Sequence, residues 1–281
     1  MIHPIVKFTV FPALAVVGGT AFLVAPGHYT KAMQAPFADR NYAHRGLHKK
    51  DKSIPENSLP AFQAAVDAGY GIELDVHLTA DDQLVVFHDD TLKRACGVEG
   101  RTDDRTLAEL KQLRLFGTEY TLPTLDEVLD VLQGKVPLIL EIKRGEKAAR
   151  NTLLCEKIRA RLLRYDGPVC IESFDPRIVA WWRRNAPEVL RGQLSQPPKV
   201  YDGKSSWLTG FLCGNLLTNV AARPHFIAYK ICDKPFTVRL CERMGALRAC
   251  WTSREWKHER GNDMVIFERY RPNVWFQADI R

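Results

Sequence analysis

Gly71-Ile72-Glu73-Leu74-Asp75-Val76-His77-Leu78, followed by Thr79-Ala80-Asp81-Asp82-Gln83 and then Leu84-Val85-Val86-Phe87, is the stretch on which the fold turns. Side chains alternate faces along a strand, so Glu73 and Asp75 share one face while Ile72, Leu74 and Val76 share the other. The apolar back face implies that the strand is covered from behind. Two carboxylates side by side on a covered strand repel each other and lose hydration unless a cation or a shared proton compensates. The bland alternative is a surface strand with two solvated acids. The polar residues 79–83 read as a turn, so Ile72–Leu78 and Leu84–Phe87 form a hairpin.

Outward from that hairpin, short β-rich runs alternate with helical stretches. The strand runs are Tyr42–His44, Ile72–Leu78, Leu84–Phe87, Pro137–Ile142, Val169–Ser173, Val189–Leu194, Phe226–Ile231, Leu247–Trp251 and Met264–Phe267. Helices are expected over Leu59–Ala68, Leu125–Leu132, Lys147–Arg164, Arg177–Asn185, Pro235–Met244 and Glu255–Glu259. Such alternation predicts an α/β fold with a parallel sheet. Setting aside the second hairpin strand leaves eight, the number of a (β/α)8 TIM barrel. Thr91–Pro123 fits no strand–helix unit and reads as an insertion.

Composition narrows the class. The chain has 281 residues, of which 46% are hydrophobic and 26% charged, which excludes a disordered or low-complexity protein. Lys+Arg 40 against Asp+Glu 33 gives a net charge of +7, suited to an anionic substrate or a membrane surface. The cations are scattered among acids, so no nucleic-acid footprint is present. The seven cysteines form no Cys-x-x-Cys pair and read as reduced, buried thiols. Phe8–Thr30 carries no formal charge, and Phe8–Gly27 is long and apolar enough for a single membrane span. We read residues 1–36 as an uncleaved anchor and linker rather than a signal peptide, and 37–281 as the barrel. Lys31, Arg40, Arg45, Lys49, Lys50 and Lys52 follow the span, which by the positive-inside rule puts the barrel on the cytoplasmic face of the cell membrane.

The chemistry-bearing residues gather at strand ends. Glu141 and Lys143 share a face near the end of Pro137–Ile142, where barrel sites are built. Glu141 with Glu73 and Asp75 makes an all-oxygen carboxylate set suited to one hard divalent cation, Mg²⁺ or Ca²⁺; a structural Glu141–Lys143 ion pair is the alternative. His44 and His88 each close a strand and could supply one base and one acid near neutral pH. Arg45 offers a planar fork for phosphate oxygens, and Gly46 would let backbone approach a ligand. Asn57 is expected to turn back toward the site, with Ser58 capping the next helix. Trp251 would wall the barrel mouth. His77, on the face of Glu73 and Asp75, reads as a structural polar group before a metal ligand. No Gly-x-Gly-x-x-Gly, Walker loop, Gly-x-Ser-x-Gly or His-Glu-x-x-His motif occurs.

His44-Arg45-Gly46, Pro55-Glu56-Asn57-Ser58, Glu73-Leu74-Asp75-Val76, Val86-Phe87-His88-Asp89 and Glu141-Ile142-Lys143, in that order, resemble the glycerophosphodiester phosphodiesterase family. Glu172-Ser173-Phe174-Asp175 and Trp251-Thr252 also look like family positions. The resemblance runs from about Asn41 to the end. It implies a TIM barrel with a small insertion after the second strand, here Thr91–Pro123. It also implies Glu73, Asp75 and Glu141 as metal ligands, His44 and His88 as acid and base, and Arg45 and Lys143 as phosphate contacts. The expected reaction is hydrolysis of glycerophosphodiesters to an alcohol and sn-glycerol 3-phosphate. The alternatives are a lysophospholipase D-type or phosphoinositide-type enzyme at the membrane and, in another class, a silent membrane-tethered binding protein. No protein partner is inferred. Near the end the family often shows Thr-Asp-x-Pro, whereas this chain has Phe267-Glu268-Arg269-Tyr270-Arg271-Pro272; no catalytic role is expected there, only a difference in substrate preference.

Overall fold

The computed structural model of the protein describes residues 17–201 and 205–276. Among the described residues nine strands run in chain order: β1 (Arg40–His44), β2 (Gly71–Leu78), β3 (Leu84–Val86), β4 (Leu138–Ile142), β5 (Val169–Ser173), β6 (Arg191–Ser195), β7 (Phe226–Lys230), β8 (Leu247–Ser253) and β9 (Met264–Phe267). Eight are parallel and close into a barrel through the β1–β2 and β1–β9 pairings. The ninth, β3, runs antiparallel along β2 with Val76 opposite Val86 and Leu78 opposite Leu84. The hairpin expected from the sequence is therefore the extra strand, and the barrel count of eight stands.

Alternation along the strands sorts the core into two layers. Ile72, Leu74, Val76, Leu138, Leu140, Ile142 and Ile171 face outward and pack under the helices Leu59–Asp67, Leu125–Leu132, Ala148–Leu162 and Pro176–Asn185. Inside, Tyr42, Ile139, Cys170, Phe226, Leu247 and Met264 fill the lower lumen. Tyr29, Met33 and Phe37 close it from below. Gly192 sits in β6 because a side chain there would strike Phe226: an added Cβ would lie 2.1 Å from its ring. The insertion forms two short helices, Lys93–Cys96 and Leu107–Leu110, around its own cluster of Leu92, Ala95, Leu110, Leu115 and Leu122.

Two elements depart from the sequence reading. Helices Trp207–Gly214 and Asn219–Ala222 fill a stretch where none was expected. Ser58 does precede the helix Leu59–Asp67, but its hydroxyl turns back to donate to the Pro55 carbonyl at 2.6 Å and caps nothing.

Residues 8–16 of the expected membrane anchor lie outside the described residues. Residues 17–24 are helical, and among the described residues no helix is long and apolar enough to cross a membrane. The end of the apolar run docks on the barrel. Val24 is buried beside Leu216, Ile227 and Tyr229, Asn219 Nδ2 donates to the Val24 carbonyl at 3.2 Å, and the Gly27 amide donates to Pro224 O at 2.9 Å.

Replacing Gly192 by Ala should lower unfolding stability by about 1–3 kcal/mol, the usual penalty for overfilling a packed core. Urea-melt midpoints of the parent and variant measure this; an unchanged midpoint would contradict the tight Gly192–Phe226 packing.

Candidate active site

The upper lumen is acidic. β1, β2, β4 and β5 are adjacent and parallel, so residues in register bring side chains of one parity to the same height. His44 stands opposite Glu73, Asp75 opposite Glu141, and Glu141 opposite Glu172. Glu73, Asp75, Glu141 and Glu172 are all buried. Glu73, Asp75 and Glu141 each offer an oxygen within 4.8 Å of the others.

Cations and donors from neighbouring loops hold this cluster. The Arg45 amide donates to Glu73 Oε2 at 3.1 Å, and Arg45 Nε lies 3.6 Å from Asp75 Oδ2. Asn57 Nδ2 donates to the same Asp75 oxygen at 2.8 Å, so Asn57 does turn back toward the site. Lys143 Nζ lies 2.8 Å from Asp75 Oδ1 and 2.7 Å from Glu141 Oε1. Arg45, Gly46 and Asn57 all take positive φ, a tight double turn after β1 that aims their polar groups inward. The reason for Gly46 differs from the one expected. An added Cβ would lie 2.8 Å from the Ala61 backbone, so the glycine admits the helix Leu59–Asp67.

Burial and like charge set the ionisation. Glu73 is pushed well above the usual carboxylate range by burial and by the Asp75 and Glu141 carboxylates. Glu172 is likewise raised by burial, then by Glu73 and Glu141. Burial alone would raise Asp75 too, but Lys143, His88 and Arg45 outweigh it and hold the group well below its ordinary value. Burial raises Glu141 against the pull of Lys143. Lys143 is held above its usual value because Asp75 and Glu141 outweigh its own desolvation.

Each histidine is held by a carboxylate through Nδ1. His44 Nδ1 lies 3.3 Å from Glu268 Oε2, and His88 Nδ1 lies 2.7 Å from Asp89 Oδ1. In both rings it is Nδ1, and not Nε2, that meets the carboxylate. Burial pushes His44 down to about 4 despite the Glu268 hydrogen bond, so it is neutral near pH 7. The His44 contact and then Arg254 hold Glu268 down at about 2. Glu268 is the correction to the sequence reading: the stretch 267–272, to which no catalytic role was given, supplies the partner of His44. His77 stays apart from the carboxylate cluster, with Nε2 3.4 Å from the His88 carbonyl.

A second layer ties the halves together. Glu56 binds Arg45, Lys52 and Arg94, each at 2.7 Å. Arg94, from the insertion, also reaches Asp89 Oδ2 at 2.6 Å. Above these groups opens a cleft of about 630 Å³ walled by His88, Glu141, Lys143, Phe174 and Trp251. Trp251 Nε1 donates to the Ala228 carbonyl at 3.0 Å, and its ring meets Phe174 edge-on at 5.6 Å.

Glu172, Glu268, Glu56 and Arg94 were not singled out individually. Glu172 had a signal, because the alternation that selected Glu141 places it on the lumen face of the next strand. Arg94 had none, since its partner Glu56 lies far away in sequence inside another loop.

The donor set fits a hard divalent cation. Four buried carboxyls face two cations, Arg45 and Lys143. Glu73 and Glu172 are driven toward protonation, and Glu172 Oε2 has no hydrogen-bond partner among the described residues. A cation would relieve this repulsion with oxygen ligands alone. Titrating Mg²⁺ or Ca²⁺ should therefore raise the melting temperature, with about 2.7 kcal/mol gained at a hundredfold excess over Kd. The variant Glu73→Gln should be at least as stable as the parent without cation yet show little response to it. A parent melting temperature indifferent to both ions would rule out the site.

Comparison with known proteins agrees with this geometry. The chain matches the glycerophosphoryl diester phosphodiesterase family over residues 44–273. A glycerophosphodiester phosphodiesterase of Caldanaerobacter subterraneus subsp. tengcongensis is 36% identical over 168 residues, 55% of this chain and 65% of that protein. A lysophospholipase D of Rattus norvegicus is 31% identical over 173 residues, 55% of this chain and 52% of that protein. The matches thus span less than two thirds of the length of these curated relatives. Among solved structures, an Oleispira antarctica phosphodiesterase in complex with sn-glycerol-3-phosphate superposes with a TM-score of 0.65 at 25% identity, covering 82% of this chain and 93% of that one. With the family match spanning most of the barrel, from His44 at the end of its first strand to beyond its last, the chain belongs to the glycerophosphoryl diester phosphodiesterase family.

Proposed function

We propose that the protein hydrolyses glycerophosphodiesters to an alcohol and sn-glycerol 3-phosphate. The observation that carries this reading is the placement of two histidines, each held by a carboxylate, beside one buried acidic cluster. Both lie within electrostatic reach of Asp75, the centre of that cluster. The family match and the product-bound relative support the same substrate class.

In this reading Glu73, Asp75 and Glu141 hold one divalent cation, Mg²⁺ or Ca²⁺, which when bound neutralises and orients phosphate oxygens. One histidine Nε2 takes the proton of the attacking group, either water directly or a substrate hydroxyl whose cyclic phosphate water then opens, and the other returns a proton to the leaving alkoxide. His44, neutral near pH 7, is in the form a proton acceptor needs. Glu268 and Asp89 fix the ring orientation and steady each imidazolium as it forms. Arg45 and Lys143 stand where negative charge grows on the phosphoryl group. Trp251 and Phe174 exclude water from one side of the cleft. The silent binding protein is the less favoured reading, because the histidine–carboxylate pairs beside the acidic cluster support a reacting site.

A second reading keeps the site and takes a lysophospholipid. It is favoured by the lysophospholipase D match and by the uncharged run Phe8–Thr30. We further propose that this run associates the protein with the cell membrane, with the barrel on the cytoplasmic side as the flanking lysines and arginines suggest.

Release of sn-glycerol 3-phosphate from glycerophosphocholine and glycerophosphoethanolamine, with EDTA and with added Mg²⁺ or Ca²⁺, tests the reaction on the full chain. Cation-dependent release should vanish in Glu73→Ala. It should fall about 10²-fold or more in His44→Ala and His88→Ala, and roughly tenfold or more in Glu268→Gln, with the fold intact. Near-parental rates in either histidine variant would end the acid–base assignment.

A further inference from the structure

Helix Trp207–Gly214, in the long connection after β6, is built inside out. Its small residues face the protein. An added Cβ at Gly210 would lie 2.8 Å from Tyr201 Cβ, and one at Gly214 would lie 2.7 Å from Pro198 Cδ. Its large apolar residues face water: Trp207, Leu208 and Phe211 are 74%, 54% and 41% exposed. The Trp207 and Phe211 rings stack on each other at 5.7 Å with 19° between planes. A surface helix ordinarily turns its apolar stripe inward, and a contiguous exposed apolar face marks a surface that something else covers.

Three observations identify the cover as lipid. First, no charged residue occurs from Ser205 to Ala222. Lys199 is exposed on the adjoining turn, and the nearby cleft wall carries Lys143, Arg144 and Lys230 together with Asp89, Asp90, Glu141 and Asp175. An uncharged face of exposed aromatic and aliphatic side chains, with a lysine at its edge, matches an interface of acyl chains under phospholipid headgroups. Second, Val200, Tyr201 and Ser205, which lead into the helix, also wall the cleft. Third, the uncharged N-terminal run joins the barrel on this same connection. Val24 packs against Leu216, and Arg223 Nη1 donates to the Phe22 carbonyl at 2.7 Å.

We propose that Trp207, Leu208 and Phe211 insert into the surface of a phospholipid bilayer and hold the mouth of the barrel against it, so that substrate is taken from the lipid. The substrate part of this statement rests on the phosphodiesterase reading above; the docking part does not.

Full-length protein is mixed with vesicles of phosphatidylcholine and phosphatidylglycerol doped with brominated-acyl phosphatidylcholine, which quenches nearby indoles. Quenching should be clear in the parent and largely lost in Trp207→Phe. In a Leu208→Ser, Phe211→Ser double variant, the rate on lysophosphatidylcholine carried in vesicles should fall about tenfold or more, because interfacial binding scales with inserted apolar area. The rate on soluble glycerophosphocholine should stay at the parental value. Equal quenching in the parent and Trp207→Phe overturns the proposal. So does a dimer of the parent that is lost in the double variant, with no quenching from the bilayer, because a second copy would then cover the face. Quenching that depends on Trp207 in a protein that hydrolyses neither substrate would uphold docking and defeat the reaction instead.

Discussion

The upper half of this barrel is organised around an electrostatic conflict: Glu73, Asp75, Glu141 and Glu172 are buried together on adjacent parallel strands. Carboxylates this close in a poorly hydrated lumen cannot all ionise without a compensating charge. Much of the surrounding architecture serves that compensation. Lys143 bridges two of them, Arg45 approaches a third side, and Asn57 donates to Asp75. The strained turn at Arg45 and Asn57 is tolerated because both residues are tied into this cluster and to one another, the Asn57 amide donating to the Arg45 carbonyl at 2.9 Å. The site is thus poised for a divalent ion by the same repulsion that would make it unstable as a purely structural core.

The two carboxylate–histidine contacts sit on opposite flanks of that conflict and are supported differently. Glu268 leaves β9 and is gripped by Arg254 at 2.6 Å, so His44 is oriented by the closing strand of the barrel. Asp89 follows β3 and is gripped by Arg94 of the insertion, so His88 is oriented by an element outside the eight-strand repeat. Glu56 joins the flanks, because it holds both Arg45 and Arg94. The insertion is therefore more than a surface loop. Its own small core around Leu92 and Leu110 positions Arg94, and Arg94 braces the charge web on which Arg45 and His88 depend.

What the sequence made legible was whatever obeys a short period. Alternation over Ile72–Val76 and Leu138–Ile142 identified Glu73, Asp75 and Glu141 as lumen groups. The polar turn at 79–83 separated the hairpin strand from the barrel, which gave the correct strand number. Pairings between distant segments left no local trace. Glu268 is 224 residues from His44, and nothing in the local pattern of residues 267–272 marks that contact. Helix Trp207–Gly214 escaped for a different reason. Gly210 and Gly214 weaken any helical pattern along this stretch, and only close packing on Pro198 and Tyr201 shows that the glycines lie inside and the large residues outside.

The barrel's two ends divide the work between them. At the bottom, Tyr29, Met33 and Phe37 seal an apolar lumen, so the end of the uncharged run and the residues after it are part of the folded core. At the top, the lumen is acidic and opens into the cleft walled by Trp251 and Phe174. The connection between β6 and β7 links these levels along one flank, with Tyr201 on the cleft wall and Leu216 against Val24 near the base. The N-terminal run is held to the lower part of that flank and the outward aromatic helix lies on the same connection, so the cleft wall, the helix and the docked end of the run belong to one folded unit.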